Sequence, residues 1–318
     1  MWRPERTVHG PAPASVGDIE PLNRLFTEAF TDRYARDGMA GVRVPPLSPA
    51  VWRYAIEDAG EGAMLWRDAD GALLAFNMVH RSGAEGWMGP IAVRPDRQGT
   101  GVGRAVVRAG MTWLEAGGAS VIGLETMPRT VDNIGFYSRL GFVPTRLTVT
   151  VVRDAVRQAV RDTERLSRGD VPALVAECAA LTRVLAPGLD FSAQLALTLE
   201  LEMGDATLVR DGGELVAFAL WHGAPLAAGR PRDEARVLKL VARDARAFER
   251  LVDAVQADAL AERLRRVAIR CQTGYAEAYL QLLARGFRVH WTDLRMTLPT
   301  HPEQPVAGPG VVMSNWEI

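Results

Sequence analysis

The spacing of apolar and polar positions changes period several times along the chain, and the changes mark out its elements. Asp18 is suited to cap a helix, and Ile19, Leu22, Leu25, Phe26 and Ala29 then fall three or four apart, on one helix face. Residues 32–48 lose that period and are rich in Gly and Pro, so a long irregular loop is expected there, a candidate wall for a binding site. A second helix is predicted over 49–58. Strands follow at 63–66 and 72–79, joined by the turn Asp68-Ala69-Asp70-Gly71. Further strands are predicted at 87–93, 121–126 and 142–152, with helices at 103–116 and 131–140 between them. Residues 7–15 hold a short strand at most, interrupted by Pro11 and Pro13. The resulting order is two helices, a hairpin, then alternating strands and helices. It predicts an α/β protein with a mixed sheet and helices on its faces.

The connection after the strand at 87–93 carries the most chemistry. It reads Arg94-Pro95-Asp96-Arg97-Gln98-Gly99-Thr100-Gly101-Val102-Gly103. Pro95 has no N–H to donate and ends the ladder. The three glycines permit a tight turn and let a ligand reach the main chain. The helix start that follows offers free N–H groups and the positive end of a dipole, which together form an anion site. Arg94, Arg97 and Arg104 add positive charge, so a phosphorylated ligand is expected. No Gly-Lys-Ser/Thr follows, which excludes a P-loop, and the glycine spacing is not that of a dinucleotide fingerprint.

Gln98-Gly99-Thr100-Gly101-Val102-Gly103, after Val93-x-Pro95, resembles the Q-x-x-G-x-G signature of the GCN5-related N-acetyltransferases (GNAT family). Downstream, Asn133-Ile134-Gly135-Phe136-Tyr137-Ser138-Arg139-Leu140-Gly141-Phe142 resembles that family's asparagine-to-tyrosine helix closed by Gly-Phe. The resemblance implies an α+β mixed sheet whose two central parallel strands splay to admit pantetheine. It also implies acetyl transfer from acetyl-CoA to an amine. Main-chain groups of Ile91, Ala92 and Val93 are then expected at the pantetheine and thioester. Amides of Gln98, Gly99, Thr100, Gly101, Val102, Gly103 and Arg104 are expected at the pyrophosphate, with Arg97 and Arg104 reaching phosphates. Tyr137 resembles the tyrosine that protonates the leaving thiolate, and Asn133 lies one helical turn earlier on the same face. The amine must lose a proton before it attacks. Glu125, late in a strand beside the cleft, and Glu85, just before the strand with the thioester contacts, are the candidate bases, acting through water with a pKa raised by burial.

The pattern repeats. Gly169-Asp170-Val171 echoes Gly17-Asp18-Ile19, Gly213 to Phe218 echoes Gly71 to Phe76, and Leu282 to Phe287 echoes Tyr137 to Phe142, at intervals of 152, 142 and 145 residues. Two tandem domains are therefore expected: 1–152 with the intact motif, a polar helical linker within 153–167, and 168–318 as a degenerate copy ending in a strand. A gapless alignment of Val93 with Val241 sets Arg246, Ala247, Glu249 and Leu251 opposite Gln98, Gly99, Gly101 and Gly103, where side chains would block the cradle. Aligning the Gly-Phe pairs sets Leu282 opposite Tyr137 and Ala278 opposite Asn133. The apolar tail, residues 310–318, is expected to complete a sheet in one half or the other.

Composition narrows the function classes. The chain has 318 residues, 48% hydrophobic and 24% charged, enough for two cores. A net charge of −1 gives no reason to expect nucleic acid or an acidic membrane as partner. Five scattered histidines and two distant cysteines, Cys178 and Cys271, make no metal pattern, so no metal is expected. Nothing resembles a leader peptide or a membrane span, and a cytoplasmic setting with buried thiols is expected. Lys239 is the only lysine. Two alternatives to an acetyltransferase remain at this point: a non-catalytic acyl-CoA-binding module, and a mycothiol synthase-like tandem enzyme. In the latter the good motif lies in the second domain, whereas here it lies in the first.

Overall fold

A computed structural model describes residues 8–316. Met1–Thr7, Glu317 and Ile318 lie outside the described residues, and with them the reading of the extreme N-terminus and the end of the tail strand. The first half runs β1 (Val8–Pro13), α1 (Ile19–Arg36), α2 (Pro49–Ala59), β2 (Ala63–Asp68), β3 (Leu73–Ser82), β4 (Glu85–Val93), α3 (Val102–Ala116), β5 (Val121–Thr126), α4 (Val131–Ser138) and β6 (Val143–Asp154). Helix α1 continues past residue 32, where a loop was expected. Asp32 pairs with Arg36 at 2.8 Å and Arg33 with Asp37 at 2.5 Å, four-residue spacings that support the added turn.

The second half repeats the order: β7 (Thr163–Arg165), α5 (Val171–Leu185), α6 (Ser192–Glu200), β8 (Gly204–Asp211), β9 (Glu214–His222), β10 (Glu234–Ala242), α7 (Ala245–Ala261), β11 (Arg266–Gln272), α8 (Ala276–Ala284) and β12 (Arg288–Thr297). A last strand, β13 (Val311–Ser314), follows a proline-rich strap. The expected helical linker does not form. Residues 155–161 are irregular, and Ala155 and Val160 pack on the second half's core instead of building a helix face.

All the strands belong to one sheet, ordered β1-β2-β3-β4-β5-β12-β6-β11-β10-β9-β8-β7, with β13 attached to β10. The order is symmetric about the β12–β6 pair. Each half ends one strand short, and the vacancy beside β5 is filled by β12 of the second half. The vacancy beside β11 is filled in turn by β6 of the first. A cut at residue 152 therefore falls inside a strand that serves both halves. Apolar clusters cover both faces of each half.

The parallel pairs split. β4 and β5 are paired from Glu85–Val121 to Met88–Leu124 and then part, leaving Gly89–Val93 without a partner on that edge. β10 and β11 are paired from Glu234–Arg266 to Val237–Ile269 and part likewise. In the second half the gap is filled: β13 runs antiparallel to β10, from Val311 opposite Ala242 to Ser314 opposite Lys239. Asn315 then spans the fork, its N–H donating to Leu238 O (2.9 Å) and its Nδ2 to Arg270 O (3.0 Å). The tail thus joins the second half and closes its split.

Candidate active site

The split in the first half opens beside the glycine loop. Gly99 and Gly101 have φ of +75° and +94°, a left-handed conformation that side chains resist. A Cβ on either would meet nothing within 4 Å, so these glycines face open space. Gly101 is the N-cap of α3, with no side chain capping it, so the first N–H groups of the helix are free for an anion. Thr100 Oγ1 donates to Arg97 O at 2.6 Å and Gln98 Nε2 to Val93 O at 3.1 Å, holding the loop's shape. The positive charge expected from Arg94 is taken up inside the protein: it is tied to Asp68 at 3.0 Å and Asp96 at 2.7 Å. Arg97 lies 3.6 Å from Asp96, and Arg104 is exposed at the helix start.

The equivalent place in the second half differs by deletion. Eight residues, 94–101, separate β4 from α3, whereas only Arg243 and Asp244 separate β10 from α7. The gapless alignment is therefore corrected: Arg246, Ala247, Glu249 and Leu251 lie within α7, not opposite a loop. Asp244 caps α7, accepting from the Ala247 N–H at 2.8 Å. An internal carboxylate occupies the helix start that the first half leaves open.

Tyr137 is buried in α4, with its ring 5.1 Å from that of Phe136 and 6.4 Å from that of Phe142. Burial pushes its pKa up to about 12, so the hydroxyl stays protonated at neutral pH. Asn133 is half-buried on the first turn of the same helix. Gly141, at φ +100°, closes the helix through Phe142 N–H to Tyr137 O (3.1 Å); Gly286 does the same through Phe287 N–H to Leu282 O (3.1 Å). This shared closure supports the pairing of Tyr137 with Leu282 and of Asn133 with Ala278.

α3 packs on one face of the split, where its Gly110 lies against Met88. On the other face, charged residues converge from both halves. Glu125 accepts from Thr148 Oγ1 (2.5 Å), Arg295 Nη1 (3.0 Å) and Arg270 Nη2. Arg270 also donates to Asp293 at 3.1 Å, and Trp291 Nε1 donates to the other Asp293 oxygen at 3.1 Å. Burial would raise the Glu125 pKa, but Arg270, Arg295 and the Thr148 hydroxyl outweigh it and hold it below the usual carboxylate range. Such a carboxylate is a poor proton acceptor, contrary to the sequence-based expectation. Asp293 is the reverse case: burial raises its pKa, Glu125 adds to the rise, and Arg270 and Trp291 only partly oppose it. Leu294 pairs with Thr126, the last residue of β5, so Asp293 sits one residue beyond the strand, level with the open split. Tyr34 of α1 approaches from above, its ring 6.5 Å from that of Trp291, and its pKa is raised by burial and by Asp293. Glu85 is buried at the closed end of β4, with Oε2 unpartnered.

Asp293 and Arg295 escaped the sequence reading. The visible signal was an acid and a base two apart inside a strand-like run, Trp291-Thr292-Asp293-Leu294-Arg295. Their place beside Glu125 depends on the strand exchange, which no local pattern encodes.

A split parallel pair at the centre of a mixed sheet is present here in two copies, and the first copy adds a glycine loop with free amides at a helix start. Residues 22–142 match the Acetyltransferase (GNAT) family, so the first half is a GNAT-family domain. No curated protein matches the sequence. Among solved structures, a putative acetyltransferase from Pyrococcus horikoshii has a TM-score of 0.66 at 14% identity, over 95% of this chain and 93% of that one. A GCN5-related N-acetyltransferase from Sphaerobacter thermophilus has a TM-score of 0.60 at 16% identity, over 96% and 99%. A tandem GNAT protein from the clavulanic acid biosynthesis pathway has a TM-score of 0.59 at 14% identity, over 94% and 100%. At these identities the likeness is one of fold, and it extends through both halves.

Proposed function

We propose that the protein is an acetyl-CoA-dependent N-acetyltransferase acting on a primary amine of a small molecule or peptide, with its chemistry confined to the first half. The observation that carries this reading is the coincidence of an open glycine loop at a helix start, a buried tyrosine and a carboxylate, Asp293, held by Arg270 and Trp291 beside one strand split. Acetyl-CoA supplies the activated acyl group. Amides of Gln98 to Arg104, with the Arg97 and Arg104 side chains, hold its pyrophosphate, and the open edge of Ile91, Ala92 and Val93 holds its pantetheine. Asn133 steadies that arm. Tyr137 Oη carries the proton for the departing thiolate. Asp293 takes the proton from the acceptor ammonium, while Glu125 holds Arg270 and Arg295 in place. The second half binds no carrier; it supplies Asp293, Arg295 and Arg270 to the first.

The test is acetyl-CoA consumption against polyamines, amino acids, antibiotics and N-terminal peptides, with Asp293→Asn alongside the unaltered protein. Turnover with one acceptor class, reduced at least about 100-fold by the substitution, is expected. Tight acetyl-CoA binding with no transfer to any acceptor would point instead to an acyl-CoA-binding module.

A further inference from the structure

The charge cluster does not stop at Arg295. That residue is 1% exposed, and its guanidinium lies 3.8 Å over the Trp87 ring. Nη1 donates to Glu125 Oε1 at 3.0 Å and to Ser314 O at 3.2 Å. Nη2 pairs with Glu303 Oε1 at 3.0 Å. Glu303 belongs to the strap between β12 and β13, and its other oxygen lies 3.3 Å from Arg146 Nε. Arg270 is gripped from the same side, donating to Trp316 O at 3.3 Å. Both arginines that hold Glu125 are thus fixed by the segment that also plugs the second half's split. A guanidinium shared between two carboxylates divides its charge between them, so the acid at one end alters the field at the other.

We propose that Glu303 is a positioning residue for acetyl transfer: acting through Arg295, it sets how firmly Glu125 is neutralised and so how readily Asp293 accepts the amine proton. This rests on the assignment of Asp293 as proton acceptor. It gives the second half and its tail a catalytic duty in place of the carrier site they lack. The groups facing Asp293 are Arg270 of β11, Glu125 of β5, the Trp291 indole N–H of its own strand and Tyr34 of α1, while Arg295 reaches it through Glu125. Those around Glu303 are Arg295, Arg146 of β6 and the Tyr275 hydroxyl. Glu85 and Lys239 also lie within the electrostatic reach of this region.

The sign follows from charge. Glu303→Gln leaves Arg295 less compensated, makes the surroundings of Asp293 more positive and lowers its pKa. The acidic limb of kcat/KM should therefore move to lower pH. Arg146→Gln should move it to higher pH, because Glu303 then draws more of Arg295's charge. Two strand residues span roughly 7 Å, and with the guanidinium the path is about 10 Å. Across that path one unit charge shifts the limb by roughly 0.3 to 1.2 pH units, depending on screening.

The experiment measures pH profiles of kcat/KM for the full chain and for Glu303→Gln, Glu303→Asp, Arg146→Gln and Asp293→Asn, with acetyl-CoA affinity measured by calorimetry. Opposite shifts for the Gln variants, recovery in Glu303→Asp and unchanged acetyl-CoA affinity are expected. If Asp293→Asn abolishes the limb while both Gln variants leave it in place, Glu303 merely pins the strap and the proposal fails. If Asp293→Asn leaves the limb intact, the base assignment itself is wrong. Should Glu303→Gln not fold, Arg146→Gln alone decides, since an unmoved limb there refutes the relay.

Discussion

Gly101→Glu tests the cradle most directly. The residue caps α3 at φ +94°, with open space where its Cβ would lie. Two costs follow. A non-glycine residue in this conformation costs roughly 1–2 kcal/mol, and that falls on stability. A carboxylate about 6 Å from a bound pyrophosphate adds like-charge repulsion of roughly 0.7 kcal/mol per charge pair at water's dielectric, and about 3 kcal/mol at an effective dielectric of 20. With two phosphate charges, acetyl-CoA affinity should fall between about 10-fold and about 10,000-fold. Gly101→Ala carries the backbone strain without the charge, so the difference between the two variants isolates the electrostatic part. Titration calorimetry with acetyl-CoA, at low and high salt, reads both. Exposure of the site requires that added salt recover part of the Glu variant's loss. Equal affinities for the unaltered protein and the Glu variant would remove this loop from the carrier site.

Tyr137→Phe should lower kcat at least about 10-fold while leaving the acetyl-CoA KM within about twofold; equal rates would demote the hydroxyl to packing. Lys239 is fully buried, and burial depresses its pKa to about 8 despite the opposing pull of Glu85 and Asp58. A folded pKa below the unfolded value means that the unfolded chain binds more protons between the two. Stability should therefore rise from about pH 8 toward 10, a rise that Lys239→Met abolishes; denaturant titrations at pH 7.5 and 9.5 check this. Met313→Asp places a charge at a position 1% exposed in the plug strand, and should lower Tm by about 6 °C or more by scanning calorimetry. An unchanged Tm would mean that the tail is not seated between β10 and β11.

The expected elements survive in the fold largely where local rules decide them. The glycine loop was legible because a left-handed conformation at Gly99 and Gly101 is a property of single residues, and an unpaired helix start is a property of one segment. The closure of α4 by Gly141, and its echo at Gly286, were legible for the same reason. Local rules also had limits. The extra turn of α1 came from ion pairs rather than apolar period, and the polar stretch before β7 lost its predicted helix to packing on a distant core.

By itself, the sequence determined that the first half carries a glycine loop before an uncapped helix and a helix with Tyr137, and that the second half repeats the plan without either. Tertiary structure decided who completes the site. The exchange of β6 and β12 places Asp293 and Arg295 beside Glu125, and the tail strand enters the second half's split and fixes the arginines. Both are choices of strand partner between segments far apart in the chain, Leu294 against Thr126 in the exchange and Val311 against Ala242 in the tail. A strand's apolar alternation states which face it buries, but not which edge it joins.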